Sequence, residues 1–200
     1  MSDLRRTVLF EKHVELGAKI VEFGGWEMPI QYRAGIIQEH MATRTTAGLF
    51  DVSHMGRLYF SGPGTIDFLQ HVLTNNSAAL DIGESQYTLI QNDTGGAIDD
   101  AYLYRFDKDE YLLVVNASNR KKDLDHFNAQ LQQFPGVNMV DRTDETAMIS
   151  LQGPLSKSII QPMISKGFLP EPARNNLSKI QINGIDVDLA RTGYTGEPLG

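Results

Sequence analysis

The sequence contains no cysteine among its 200 residues. That removes disulfides, thiolate metal sites and a cysteine nucleophile in one step. Tryptophan is nearly absent too, with Trp26 alone. No apolar run approaches the ~18–20 residues that a helix needs to span a bilayer. The first stretch carries charges throughout, among them Arg5, Arg6, Glu11, Lys12 and Glu15. It lacks the unbroken apolar core of a secretory signal, and a soluble cytoplasmic protein is expected.

Basic charge is also in short supply. Lys and Arg total 18 against 25 Asp and Glu, a net charge of −7, and no basic run exceeds Arg120-Lys121-Lys122. Neither nucleic acid nor a membrane surface is an expected partner. The histidines are His13, His40, His54, His71 and His126. No pair has the spacing of a helical zinc site, so no metal is expected. Neither a phosphate-binding loop nor a Gly-x-Ser-x-Gly elbow occurs. Gly62-Pro63-Gly64 starts like a dinucleotide fingerprint but has no third glycine, and Pro63 breaks the turn.

What is present is an ordinary globular composition, 41% hydrophobic and 22% charged, which excludes a disordered or coiled-coil chain. The periodicity alternates between helical and extended, which predicts a mixed α and β fold. Ile36, Ile37, His40, Met41 and Arg44 follow helical spacing, with Gly48 as a stop. Arg57 to Ser61 reads as a strand. Gly62-Pro63 opens a helix carrying Ile66, Leu69, Val72 and Leu73 on one side. Three antiparallel strands are predicted over 86–91, 97–105 and 111–115, joined by Asn92-Asp93-Thr94-Gly95-Gly96 and by a charged turn. The all-apolar Tyr111 to Val115 should be buried on both faces. Asn116 or Ser118 is the expected cap of a helix with Leu124, Phe127 and Leu131 as its apolar stripe. Thr146 to Leu151 is another strand, and Gly153-Pro154 starts a helix reaching Met163 and Ile164. A proline-containing loop near Pro170 and Pro172 precedes two short strands that flank Asn183-Gly184. Trp26 falls in a loop rich in glycine and proline and is expected to anchor to the core.

The sharpest chemical feature is Asp99-Asp100 inside a predicted strand, where neighbouring side chains point to opposite faces. One carboxylate should therefore meet an enclosed volume, which is costly without hydrogen bonds or a function. The same residues also suit a solvated strand start or a cap on the Gly95-Gly96 turn. Tyr87 and Asn116 belong to the strands beside Asp99. Met55 follows Asp51-Val52-Ser53-His54, and Glu197 closes the polar run from Arg191.

Taken in order, several segments resemble the aminomethyltransferase (T-protein) of the glycine cleavage system. They are Phe23-Gly24-Gly25-Trp26-Glu27-Met28-Pro29, the run from Ala47 to Met55, Asn92 to Asp100, Leu113 to Ser118, Leu151-Gln152-Gly153-Pro154 and Arg191 to Glu197. The resemblance implies an α+β folate-binding fold of mixed sheets with flanking helices, its later part and a C-terminal β-barrel falling beyond this sequence. By analogy, residues 1–50 and 136–200 form one body and 51–135 an inserted one. It implies transfer of a methylene from the aminomethyl group on the lipoyl arm of the H-protein to tetrahydrofolate, with release of ammonia. The P- and L-proteins of the system would be indirect partners, and tetrahydrofolate a co-substrate. Asp99 is implied as the key carboxylate and Glu197 as the pterin-gripping one, with Met55, Tyr87, Val115, Asn116 and Tyr194 lining the pocket. On this reading Asp99→Asn should cost more turnover than Asp100→Asn. Another folate-dependent one-carbon enzyme of demethylase type, or a non-catalytic folate-binding module, are the alternatives.

Overall fold

The computed structural model describes residues 4–170 and 175–196. Pro172 and Glu197 lie outside these residues. The chain divides into two compact units, residues 1–54 with 147–200, and residues 55–146.

The first unit begins with helix α1 (Phe10–Glu15) and a hairpin of β1 (Lys19–Phe23) and β2 (Trp26–Gln31). Phe23 pairs with Trp26, which leaves a two-residue turn of Gly24 and Gly25 at φ 58° and 85°. Two successive positive φ values suit a tight hairpin, and only glycine adopts them without strain. The expected loop around Trp26 is therefore a hairpin. The indole is buried beneath the Arg5 guanidinium, 4.2 Å from the ring centre.

Helix α2 (Ile36–Thr45) forms where the spacing predicts it, but Gly48 opens strand β3 (Gly48–Asp51) instead of ending the helix. The apolar residues on this spacing, Ile36, Ile37 and Met41, are exposed. Strand β3 pairs antiparallel with β9 (Ile149–Gln152), which joins the two halves of this unit. Helix α5 (Ser156–Ile160) is shorter than its apolar spacing suggests and gives way to a 3₁₀ turn, Gln161–Met163. Pro162 has no N–H to continue the helical ladder. Strands β10 (Ile164–Lys166), β11 (Leu177–Ile182) and β12 (Ile185–Ala190) form one antiparallel sheet. Asn183 and Gly184, at φ 52° and 81°, make the turn between the last two.

A polar network organises the interior of this unit. His13 is buried, with Nδ1 2.8 Å from the Tyr32 hydroxyl and Nε2 3.0 Å from Asp51 Oδ2. The Ser53 amide donates to Asp51 Oδ1 at 2.9 Å. Burial works to raise the Asp51 pKa, but hydrogen bonds from Thr7, His13 and Ser53 outweigh it and hold the group below the usual carboxylate range.

The second unit is a five-stranded antiparallel sheet in the order β5-β6-β7-β4-β8. Its strands are β4 (Gly56–Ser61), β5 (Ser85–Gln91), β6 (Ala97–Asp107), β7 (Glu110–Val115) and β8 (Asn138–Asp141), with helices α3 (Thr65–Val72) and α4 (Arg120–Leu131). The sequence reading ends this insertion at Pro135. Strand β8 extends it, because β8 hydrogen-bonds to β4.

Alternate residues of the three inner strands meet the helices. Leu58, Phe60, Ala101, Leu103, Tyr111, Leu113 and Val115 pack with Phe68, Leu69, Val72 and Phe127 in one core. Phe60, Phe68 and Phe127 contact one another at centroid distances of 5.5–6.2 Å. Each such ring contributes about 2–3 kcal/mol by leaving water. Leu112 and Val114 are buried on the opposite face, as expected of a central strand.

Candidate active site

The chemistry-bearing residues of the second unit gather at one end of this sheet. Register puts them there: Gly56 faces Val115, Val115 faces Ala101, and Leu89 faces Asp100. Met55 stands just before Gly56, and Asn116 just after Val115. A Cβ on Gly56 would lie 2.5 Å from Val115 Cγ2, so only glycine allows the two strands to meet here.

The buried guanidinium of Arg57 fixes the Met55 end. It donates to the Met55 carbonyl at 2.7 Å, to the Thr146 carbonyl at 2.7 Å, to Thr146 Oγ1 at 2.8 Å and to the Thr143 carbonyl. Its removal from water lowers its pKa, with neighbouring Arg120 adding to that and Tyr59, Asp141 and Asp144 opposing it. Arg120, the first residue of α4, donates to Asp141 at 2.7 Å and ties the helix to β8.

The Asn92 turn that feeds β6 closes on itself. The Asn92 side-chain oxygen accepts from Thr94 N, Thr94 Oγ1 and Gly96 N at 3.1, 2.8 and 2.8 Å, and Gly95 has φ 80°. This side chain mimics the backbone of a turn and fixes where β6 begins. Lys122 then holds Ile98 by its carbonyl at 2.6 Å.

Strand alternation separates the two carboxylates. Asp99 lies on the helix-covered face with Ala101 and is 8% exposed, whereas Asp100 lies on the other face with Tyr102 and is exposed. Asp99 Oδ1 accepts from the side chains of Asn119 at 2.7 Å and Asn116 at 3.0 Å, and its Oδ2 from the Asn116 amide at 3.3 Å. The Asn116 side-chain Nδ2 also donates to Asp100 Oδ1 at 2.8 Å. Asn116 therefore bridges the carboxylates instead of capping α4, whose N-cap is Asn119 without a side-chain cap bond. Tyr87 pairs with Tyr102, on the Asp100 face. Its hydroxyl pKa is raised by partial burial, by the Asp100 charge and by a hydrogen bond to Asp100.

The structure thus brings Tyr87, Asp99, Asp100 and Asn116 together, with Met55 at the neighbouring strand end. The Val115 side chain belongs to the core below them. Tyr194 lies in the first unit, 64% exposed. Its loop is held by Gln152, whose oxygen accepts from Tyr194 N and Thr195 Oγ1 at 3.2 Å each. Gln152 sits in the Leu151-Gln152-Gly153-Pro154 motif, which by itself suggests no role for it. Asp123 is the residue that sequence reasoning misses altogether. It sits on α4 one turn after Asn119 and is fully buried against Asp99. A signal for it exists, since helical spacing places it on the same side as Phe127. Among the described residues no group of three potential ligands could hold a metal ion, and no helix is long and apolar enough to cross a membrane.

Comparison with known proteins gives this arrangement relatives. A family model described as the GCVT N-terminal domain matches residues 9–199. An aminomethyltransferase from Chlorobium limicola is 44% identical over 194 residues, covering 97% of this chain and 53% of that protein. One from Thermus thermophilus is 41% identical over 194 residues, covering 97% of this chain and 55% of that protein. The chain spans about half the length of the curated relatives it matches. The crystal structure of a glycine cleavage system aminomethyltransferase T from Bartonella henselae superposes with a TM-score of 0.89 at 33% identity, over 98% of this chain and 52% of that one. A heterotetrameric sarcosine oxidase from Corynebacterium sp. U-96 shares the fold alone, with a TM-score of 0.56 at 19% identity over 76% of this chain and 75% of that one.

Proposed function

The chain belongs to the GCVT N-terminal domain family, and on that premise we propose that it supplies the carboxylate-bearing half of a tetrahydrofolate-dependent aminomethyltransferase of the glycine cleavage system. The substrate is the aminomethyl group carried on the lipoyl arm of the H-protein, and the P- and L-proteins are partners only through that carrier. The site of action is the cytoplasm.

The reaction balances without a redox partner. The methylene carbon loses one C–S and one C–N bond and gains two C–N bonds. Two protons leave folate nitrogens; one completes the dihydrolipoyl thiol and the other the departing ammonia. Tetrahydrofolate supplies the two nitrogens that take up the carbon. The donor set at this end of the sheet suits such a molecule, because an exposed carboxylate beside a tyrosine hydroxyl accepts from the N–H groups of a reduced pterin.

The observation that carries the reading is the division of labour between the paired acids. Asp100 is exposed and shares a face with Tyr87, while Asp99 is turned inward and held by Asn116 and Asn119. In this proposal Asp100 stabilises the positive charge that develops on nitrogen, and Asp99 fixes Asn116 behind it. A held carboxylate does this without reorganising at the moment of reaction. That revises the sequence-based assignment, which gives the leading role to Asp99. Met55 and Tyr87 border the folate, and Val115 acts as the floor that sets Asn116; Tyr194 and Glu197 are assigned to the pterin by the family resemblance alone.

The test uses the protein as the cell makes it. Calorimetric titration with tetrahydrofolate is followed by addition of H-protein loaded with the aminomethyl group, and methylenetetrahydrofolate is assayed. Saturable binding and turnover are expected. Binding without turnover would reduce the protein to a folate-binding module, and no binding would refute the reading.

A further inference from the structure

Asp123 is a carboxyl group in a place where a leucine would be cheaper. On α4 it lies one turn after Asn119 and one turn before Phe127, so helical geometry points all three at the sheet. Asn119 reaches Asp99, and Phe127 enters the core. Asp123 between them is 0% exposed. Among the described residues, no N–H or O–H group reaches either of its oxygens.

Among the described residues Asp99 is the carboxylate that faces it, while the charges of Asp100, on the far face of β6, and of Lys122, on its own helix, act on it from further off. The Lys122 ammonium already donates to the Ile98 carbonyl at 2.6 Å. The Asp99 carboxylate is within hydrogen-bonding reach of Asp123. Two carboxylates in such contact repel unless a proton lies between them, and burial adds to the cost of a second charge. Asp99 is the better place for the negative charge, because Asn116 and Asn119 donate to it three times. The proton therefore stays on Asp123. Burial, then the hydrogen bond and charge of Asp99, push its pKa up to about 8.

We propose that Asp123 is a positioning residue that keeps a proton, donates it to Asp99, and through this carboxyl–carboxylate pair sets the orientation of Asn116 and Asp100. Its consequence for catalysis rests on the function proposed above; the shared proton does not. An ionising carboxyl at this point makes the site sensitive to alkaline pH. Once Asp123 loses its proton, two charges oppose each other beneath Asn116 and the alignment of Asp100 loosens.

Two readouts test this separately. The first is carbon-13 NMR of aspartate carboxyls in the whole protein, with Asp123→Asn identifying the signal. A protonated carboxyl persisting above pH 7 is expected, and ionisation below pH 5 overturns the pair. The second is the pH profile of aminomethyl transfer. Asp123→Asn keeps a donor toward Asp99, so it should abolish an alkaline fall in rate seen in the parent. Asp123→Ala removes the donor and should lower kcat about 10–100-fold, the scale of a small misplacement at a reacting centre. An alanine variant with the parent's kcat and pH profile overturns the positioning role. A protonated carboxyl in a protein without transferase activity upholds the pair and refutes the proposed function instead.

Discussion

Replacing Asp123 by asparagine should change how stability depends on pH, in a direction fixed by the sign of its pKa shift. An aspartate ionises near 3.9 in the unfolded chain. In the folded protein burial and Asp99 hold Asp123 protonated up to about 8. Between those values the folded state binds one more proton than the unfolded state, so stability falls as pH rises. The contribution is fully present below about 4 and is gone above about 8, at about 1.4 kcal/mol per pH unit in between. The amide that replaces the carboxyl in the variant does not titrate. The variant's advantage over the parent should therefore grow by about 2–3 kcal/mol from pH 5 to pH 7, and level off above pH 8. Urea unfolding at several pH values, followed by circular dichroism, measures the difference. Amide exchange of the buried strand Tyr111–Val115 reports the same unit locally. A constant gap across this range would refute the claim that Asp123 carries a proton at neutral pH.

Arg57→Met strips donors from the Met55, Thr143 and Thr146 carbonyls at once; it should cost about 3–5 kcal/mol in urea unfolding, with Arg57→Lys intermediate. His13→Ala takes a partner from both Tyr32 and Asp51 and should cost about 2–3 kcal/mol. Because His13 is one of the bonds that depress the Asp51 pKa, stability is lost as pH falls through that depressed value; acid unfolding of the variant should begin at a higher pH. Gly95→Ala, at φ 80°, should destabilise by about 1 kcal/mol in thermal unfolding without altering folate binding.

Much of the second unit can be read from periodicity. The three strands around Asn92 and the charged turn occur where expected because alternation, glycine turns and the all-apolar 111–115 run agree with one another. The first unit is harder. Gly24-Gly25 looks like a loop because both residues are turn formers, and the information that they join two paired strands lies in the register of Phe23 and Trp26. The spacing in α2 gives the helix and says nothing of its burial, since spacing reports which residues share a side and not what covers them. The acidic pair stands out in the sequence, but which member turns inward depends on where α4 packs. That is a tertiary fact: Asn119 and Asp123 choose Asp99. Asn116 reads as a helix cap because asparagine is a good one, yet its amide has stronger acceptors in two carboxylates.

Which aspartate meets the substrate decides the mechanism. The direct test is steady-state aminomethyl transfer to tetrahydrofolate by the parent protein, Asp100→Asn and Asp99→Asn, each with its unfolding free energy measured alongside. The structure predicts that Asp100→Asn lowers kcat by about 10²–10⁴ while stability stays within about 1 kcal/mol, and that Asp99→Asn loses less rate. An Asp100→Asn protein turning over within threefold of the parent, with Asp99→Asn inactive yet folded, would contradict it.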